Sequence, residues 1–87
     1  MIHVLPGMGA DHRMYSAPAW HSFADTNFID WPDYHGETSI AAIASRVISE
    51  ARISEGDVVV GSSLGGIVGC EIARIVSLKT LVLIGSA

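Results

Sequence analysis

Three consecutive valines, Val58 to Val60, lead directly into the turn Gly61-Ser62-Ser63-Leu64-Gly65-Gly66, and an apolar helical pattern follows this turn. A β-branched run without polar alternation is typical of a strand that is buried on both faces. Such strands occur in parallel sheets, because the crossover connections of these sheets place helices against them. The segment therefore predicts an α/β domain in which Val58 to Val60 form the central strand.

Strand and helix patterns alternate along the rest of the chain. The clearest helix begins at Ser39 and has six apolar residues on one face: Ile40, Ile43, Ala44, Val47, Ile48 and Ala51. A helix capped by Ser16 and a helix after Gly66 are also predicted. Further strands are predicted at Ile2 to Leu5, Asn27 to Trp31 and Thr80 to Ile84. With right-handed crossovers, these elements form one three-layer α/β domain of four parallel strands and three helices.

Charge and composition argue against several functions. The formal net charge is −4, and the five basic residues are scattered along the chain, which argues against nucleic acid binding. The lone Cys70 falls in an apolar helical pattern, which favours a buried structural thiol and a reducing cytoplasm. No apolar run approaches the ~18 residues of a membrane span. We expect a cytoplasmic protein without nucleic acid or membrane partners, and no signal peptide.

Gly61, Ser63 and Gly65 form the pattern G-x-S-x-G between a predicted strand and a predicted helix. A sharp turn of this kind holds its central residue in a strained backbone conformation, and a Cβ at either glycine would collide with the adjoining elements. Ser63 would lie at the helix N-terminus, where backbone N–H groups favour developing negative charge. The pattern predicts a nucleophilic serine for acyl transfer, with the Leu64 N–H as one oxyanion donor.

The second oxyanion donor is predicted in the loop that follows the first strand, Pro6-Gly7-Met8-Gly9. This strand is expected beside Val58 to Val60, so its loop opens at the same edge of the sheet as Ser63. The N–H of Met8 can therefore reach the pocket at Ser63, and Gly7 and Gly9 keep the backbone accessible.

Taken in order, three motifs resemble those of the α/β-hydrolase superfamily, as in serine esterases and lipases. The segment Leu5 to Asp11 looks like the oxyanion loop, with Pro6-Gly7 where many members have His-Gly. The segment Gly61 to Gly66 resembles the nucleophile elbow, with Gly61, Gly65 and Gly66 as its glycines, and Leu81 to Ala87 is similar to the strand after the elbow helix. The resemblance covers residues 1–87 as a single partial hydrolase domain.

This resemblance implies the spatial strand order second, first, third, fourth. It also implies serine-mediated hydrolysis of an ester, thioester or amide in a small acyl substrate, with no metal and no cofactor. In the family, the acid and the histidine of the triad follow later strands, so both would lie beyond Ala87. We therefore expect weak or no turnover from residues 1–87 alone.

Two of the four histidines are conceivable substitutes for the missing base. His12 follows the oxyanion loop and His35 follows the second strand, so both are expected on the carboxyl side of the sheet. His3 lies within a strand, and His21 is expected on a solvent-facing helix surface. The aspartates in these loops, Asp11, Asp30 and Asp33, are most simply turn or cap residues.

A noncatalytic scaffold is the main alternative to an enzyme. Thr80 to Ile84 is predicted to be an uncovered apolar edge strand. Pairing with the same strand of a second chain would hide that edge, which predicts a homodimer.

Two nucleotide-binding alternatives fit the sequence less well. Gly7-Met8-Gly9 begins a dinucleotide fingerprint, but His12 stands where the third glycine is required. Gly61 to Gly66 has the glycine spacing of a phosphate-binding loop, but Ile67 and Val68 replace the lysine and hydroxyl residue that would hold phosphate and magnesium.

Overall fold

The computed structural model describes residues 1–33 and 36–85. Its parallel sheet has four strands: β1 (Ile2–Leu5), β2 (Thr26–Phe28), β3 (Val58–Ser62) and β4 (Thr80–Ile84). The strand order is β2-β1-β3-β4, so the predicted α/β class and strand order are confirmed. In the central pair, Leu5 of β1 lies opposite Gly61 of β3. This register brings the carboxyl ends of both strands to one edge of the sheet.

The second strand is shorter than predicted and begins one residue earlier, at Thr26. The N–H of Ile29 still donates to the carbonyl oxygen of Val4 at 2.9 Å, and the chain then leaves the sheet. It leaves because Asp30 and Trp31 make hydrogen bonds with the loop that follows β1, not with a strand.

The two α-helices are α1 (Ile40–Ala51) and α2 (Leu64–Ile75). Helix α1 begins as predicted, because the hydroxyl of Ser39 accepts a hydrogen bond from the N–H of Ala42 and satisfies one free donor of the first turn. It ends at Arg52, which adopts a left-handed conformation with φ of 58°.

The third predicted helix is absent from the described residues, where two 3-10 turns stand in its place. They span His12–Tyr15 and Pro18–Ser22. Asp11 caps the first turn, because its carboxylate accepts a hydrogen bond from the N–H of Arg13, and Ser16 is the C-cap of that turn. The predicted N-terminal cap at Ser16 is therefore wrong, and Ala17 before the second turn makes no side-chain cap bond. A segment this short does not sustain an α-helix on its own. Aromatic packing holds it instead, since the rings of Tyr15 and Trp20 meet edge to face with centroids 4.7 Å apart.

The two faces of the sheet are covered differently. Both α-helices pack on one face, where Leu5 and Val59 of the sheet contact Ala44, Val47, Val68 and Ile72 of the helices. On the other face, Tyr15 and Trp20 of the 3-10 turns pack against Val4 and Val60. An apolar groove of about 320 Å³ remains open there along β1, β3 and β4. The expectation of α-helices on both faces of β3 is therefore wrong for this face.

A buried polar contact joins the strands at their amino ends. The side chain of His3 is fully buried, and its Nε2 lies 2.9 Å from Oδ2 of Asp57. The same carboxylate accepts a hydrogen bond from the N–H of Ser54 at 3.0 Å. This contact lies at the opposite end of the sheet from Ser63.

The expected burial of Cys70 is wrong, because its side chain is exposed on α2. The buried face of α2 is formed by Val68, Gly69 and Ile72, and Cys70 falls outside it. Within the described residues, no helix has the length and apolar content needed to cross a membrane.

Candidate active site

Ser63 lies between the last residue of β3 and the first residue of α2, with backbone angles φ 55° and ψ −119°. Residues other than glycine rarely adopt a positive φ, and holding one there costs about 1–3 kcal/mol. Neighbouring elements over-determine this conformation. The N–H of Ser63 donates to the carbonyl of Ile84 at 3.4 Å, and the Ser63 carbonyl accepts from the N–H of Gly66 at 2.9 Å.

Two glycines allow the backbones around Ser63 to approach each other closely. A Cβ built on Gly61 would lie 2.2 Å from the carbonyl oxygen of Gly65. A Cβ built on Gly65 would lie 2.6 Å from the carbonyl oxygen of Pro6. The end of β1, the end of β3 and the start of α2 are therefore in direct backbone contact, which positions Ser63 at the carboxyl edge of the sheet.

The loop after β1 lies against this turn. A Cβ built on Gly7 would be 3.6 Å from the Cβ of Ser63. The carbonyl oxygen of Gly7 accepts two hydrogen bonds, from Nε1 of Trp31 at 3.0 Å and from the N–H of Ala10 at 3.2 Å. The next residue, Met8, has a side chain that is 77% exposed.

The two predicted oxyanion donors are the N–H groups of Met8, which follows Gly7 in the loop packed against Ser63, and of Leu64, which follows Ser63. Leu64 is the first residue of α2, so its N–H has no partner inside the helix. Within residues 1–33 and 36–85, neither N–H group donates a hydrogen bond to another residue. Such N–H groups at a helix start and a glycine loop can donate hydrogen bonds to an anionic oxygen.

His12 lies at the same edge of the sheet and has a carboxylate partner that the sequence did not indicate. Its backbone N–H and its ring Nδ1 each lie 2.8 Å from Oδ1 of Asp30. Since a carboxylate only accepts, Nδ1 carries the hydrogen of this bond. Both side chains are more than half exposed. The hydrogen bond from the backbone N–H of His12 is the main cause that holds the pKa of Asp30 below its usual value, and the bond from the His12 ring is the next.

The other histidines do not add a base to the described site. The ring of His12 itself bonds Asp30 and not Ser63 in the part of the chain that the structure describes. His35 lies outside the described residues. His3 is at the far end of the sheet, and His21 is exposed, with its ring centroid 5.0 Å from that of Phe28.

One group of metal-binding side chains comes together within the described residues. The donor atoms of Asp11, His12 and Asp30 lie within 4.8 Å of one another. These groups are already paired, because Arg13 forms hydrogen bonds with the carboxylate of Asp11 and His12 bonds Asp30. The side-chain hydrogen bond from Arg13 lowers the pKa of Asp11 to about 2. The cluster is explained as exposed ion pairs.

Tyr15, Asp30 and Trp31 contact the loop and turn around Ser63 and were not predicted to do so. The phenol of Tyr15 donates to the carbonyl of Leu5 at 2.7 Å and also hydrogen-bonds Ser62, and burial raises the pKa of this phenol. The only sequence signal for Asp30 and Trp31 is that they follow β2 on the carboxyl side of the sheet. Nothing in the local pattern around Tyr15 indicates its contacts.

The chain resembles a solved structure of an enzyme. The similar structure is that of the type II thioesterase BorB from the borrelidin biosynthetic cluster, which matches with a TM-score of 0.75 and 21% sequence identity. The match covers 98% of this chain and 41% of that one, so this chain spans less than half the length of the thioesterase. No model of a known protein family matches the sequence. A search of curated proteins also finds no match. At this identity the likeness shows the fold alone, an α/β fold with a four-stranded parallel sheet.

Proposed function

We propose that this chain supplies the nucleophile and the oxyanion site of a serine hydrolase that acts on an ester, thioester or amide of a small acyl substrate. The observation that supports this most directly is the strained backbone of Ser63, held between β3 and α2 with Gly7 packed against it. Strain of this kind persists only where the surrounding structure imposes it, and it is concentrated at functional sites. A thioester is among the candidate substrates because the similar solved structure is a thioesterase.

In the proposed reaction, Oγ of Ser63 attacks the carbonyl carbon of the substrate and loses its proton to a base. The new C–O bond leaves a negative charge on the former carbonyl oxygen, which the N–H groups of Met8 and Leu64 stabilise. The tetrahedral intermediate collapses as the bond to the leaving group breaks, and the leaving group takes up the proton. Water then hydrolyses the acyl-serine by the same steps.

The proposal does not assign the base to a single residue. The base would be His12, His35, or a residue from a segment or a chain outside residues 1–87. His12 has an oriented ring and a carboxylate partner, but that ring does not contact Ser63. We therefore expect residues 1–87 alone to turn over substrate weakly or not at all.

Labelling with a fluorophosphonate tests the nucleophile without knowledge of the substrate. An activated serine displaces fluoride from phosphorus and forms a P–O bond, which intact-mass analysis detects. If His12 or His35 supplies the base, we expect one label per chain, at Ser63, and no label in Ser63→Ala. The matched control is Ser62→Ala, the neighbouring serine of the same turn, which should label like the unaltered chain.

The same measurement can identify the base. His12→Gln and His35→Gln each remove one imidazole, so slower labelling in one of them would assign that residue. A folded sample that takes up no label would contradict a working base within residues 1–87 and would leave the chain as a hydrolase-type scaffold without its chemistry.

A noncatalytic scaffold is a second candidate, supported by the exposure of strand β4. This strand is at the edge of the described sheet, and Val82, Leu83 and Ile84 are 40%, 43% and 38% exposed. Exposed apolar edges promote pairing with another strand. We propose that β4 of a second copy covers this edge in a homodimer.

Light scattering after size exclusion tests the dimer. We expect a dimeric mass for the unaltered chain and a monomeric mass for Leu83→Lys, because a lysine on an edge strand opposes pairing. Ile75→Lys, which places the same charge at an exposed position of α2, is the control and should remain dimeric. A monomeric mass for the unaltered chain at micromolar concentration would contradict this candidate.

A further inference from the structure

The peptide group between Gly7 and Met8 is held at its carbonyl end. The Gly7 oxygen accepts hydrogen bonds from Nε1 of Trp31, at 3.0 Å, and from the N–H of Ala10, at 3.2 Å. The Ala10 bond closes a turn within the loop. The Trp31 bond joins the loop to a different part of the chain, 24 residues away.

Fixing this carbonyl also fixes the direction of the Met8 N–H. The carbonyl oxygen of Gly7 and the N–H of Met8 belong to one planar trans peptide group, in which they point in opposite directions. Two donors on the oxygen therefore prevent the peptide plane from rotating. The N–H of Met8 is left facing away from Trp31, in a loop whose preceding residue packs against Ser63.

Trp31 is well placed to act as this anchor because it is itself held on both sides. Its ring is partly buried and packs against the core cluster that includes Leu5 and Ile29. Its neighbour Asp30 bonds the backbone N–H of His12 at 2.8 Å. Hydrogen bonds therefore join the segment after β2 to the chain after β1 at two residues, Gly7 and His12.

We propose that Trp31 is a positioning residue of the oxyanion site, whose indole N–H fixes the Gly7–Met8 peptide so that the Met8 N–H faces the oxyanion formed at Ser63. This inference rests on the proposed serine hydrolase function. The proposed role does not require Trp31 to contact the reacting atoms. Trp31 acts only through the orientation of one peptide group.

The test is the rate of fluorophosphonate labelling in Trp31→Phe, which keeps an aromatic ring against the core and removes the N–H. Removing an oxyanion donor outright lowers kcat by about 10²–10³-fold, so we expect a misdirected donor to slow labelling at least about tenfold. The loss should appear in the maximal labelling rate at saturating reagent, with the reagent concentration for half-maximal rate unchanged. A general loss of structure would alter both quantities.

Trp20→Phe is the matched control, because Trp20 is the other tryptophan of the chain and packs on the opposite face of the sheet. It should label at the unaltered rate. If Trp31→Phe does not fold, replacing Trp31 by 3-benzothienylalanine, in which sulfur takes the place of the N–H, keeps the shape of the side chain and tests the same bond.

The outcomes separate the two proposals. An unaltered chain that labels at Ser63, together with a Trp31 variant that labels equally fast, would overturn the role of Trp31 and leave the hydrolase function standing. An unaltered chain that does not label would overturn serine chemistry within residues 1–87 and this role with it. A slower maximal labelling rate in Trp31→Phe, together with an unaltered rate in Trp20→Phe, supports the inference.

Discussion

Ser63 lies at the carboxyl edge of the sheet and has a strained backbone. Its φ of 55° and ψ of −119° suit glycine better than serine. The contacts that hold it come from Ile84 and Gly66, on two different elements. At the scale of the residue, the structure therefore places Ser63 where a smaller residue would be more stable.

Ser63→Gly should increase the free energy of unfolding by about 1 kcal/mol, because relief of about 1–3 kcal/mol of strain exceeds the added entropy of glycine in the unfolded chain. Urea unfolding measures this change. Ser62→Gly, in the last position of β3, relieves no such strain and should destabilise the chain. Equal destabilisation by both variants would show that Ser63 is not strained.

Helix α2 is the element on which the candidate site depends, because its first turn has no room for a side chain at Gly65. A Cβ on Gly65 would lie 2.6 Å from the oxygen of Pro6 and 2.7 Å from that of Leu5, and both are backbone atoms that cannot move independently. A Cβ on Gly69, one turn later, would be 3.0 Å from Cδ1 of Leu81, the end of a flexible side chain. An added methyl group would therefore meet backbone atoms at Gly65 but a flexible side chain at Gly69.

Gly65→Ala should lower the free energy of unfolding by about 3 kcal/mol or more, because the helix must move away from β1. Gly69→Ala should change it by less than about 1 kcal/mol, since the higher helix propensity of alanine offsets the crowding of Leu81. Chemical denaturation of the two variants side by side measures the difference. Similar losses in both would mean that the close approach of α2 to β1 does not limit stability.

In the molecule as a whole, the candidate site lies at the opposite end of the sheet from a stabilising contact. Ser63 lies at the carboxyl edge, and the buried pair of His3 and Asp57 lies at the amino edge. The N–H of Ser54 and then the ring of His3 hold the pKa of Asp57 below its ordinary value of 3.8. A carboxyl group whose pKa falls on folding stabilises the folded state above its unfolded pKa, and this contribution is lost as the pH falls towards the folded value.

We therefore expect Asp57→Asn to be less stable than the unaltered chain at pH 7, and this difference to shrink as the pH falls from about 5 to about 2. Urea midpoints measured across this range give the result. Glu55→Gln, in the same turn with an exposed side chain, is the control and should show no comparable pH-dependent difference. A difference that stays constant with pH would mean that the charge of Asp57 does not contribute.

Features that arise within one stretch of chain could be predicted from the sequence. The valines of β3, the single apolar face of α1 and its cap at Ser39 follow from side-chain periodicity and local hydrogen bonding. The same is true of the glycines around Ser63, because a tight turn between a strand and a helix leaves no space for a Cβ. The α/β class followed from these elements and their connections, whereas the strand order was what the family resemblance implied.

Tertiary structure alone decided the contacts between separate loops. Asp30 bonds His12, 18 residues away, and Trp31 bonds Gly7, 24 residues away, because the pairing of β1 with β2 brings the ends of both strands together. It also decided that the segment from His12 to Ser22 forms 3-10 turns, since Tyr15 and Trp20 pack there against the sheet. Local propensity cannot encode these features, because each depends on atoms that only the assembled sheet places within about 3 Å of each other.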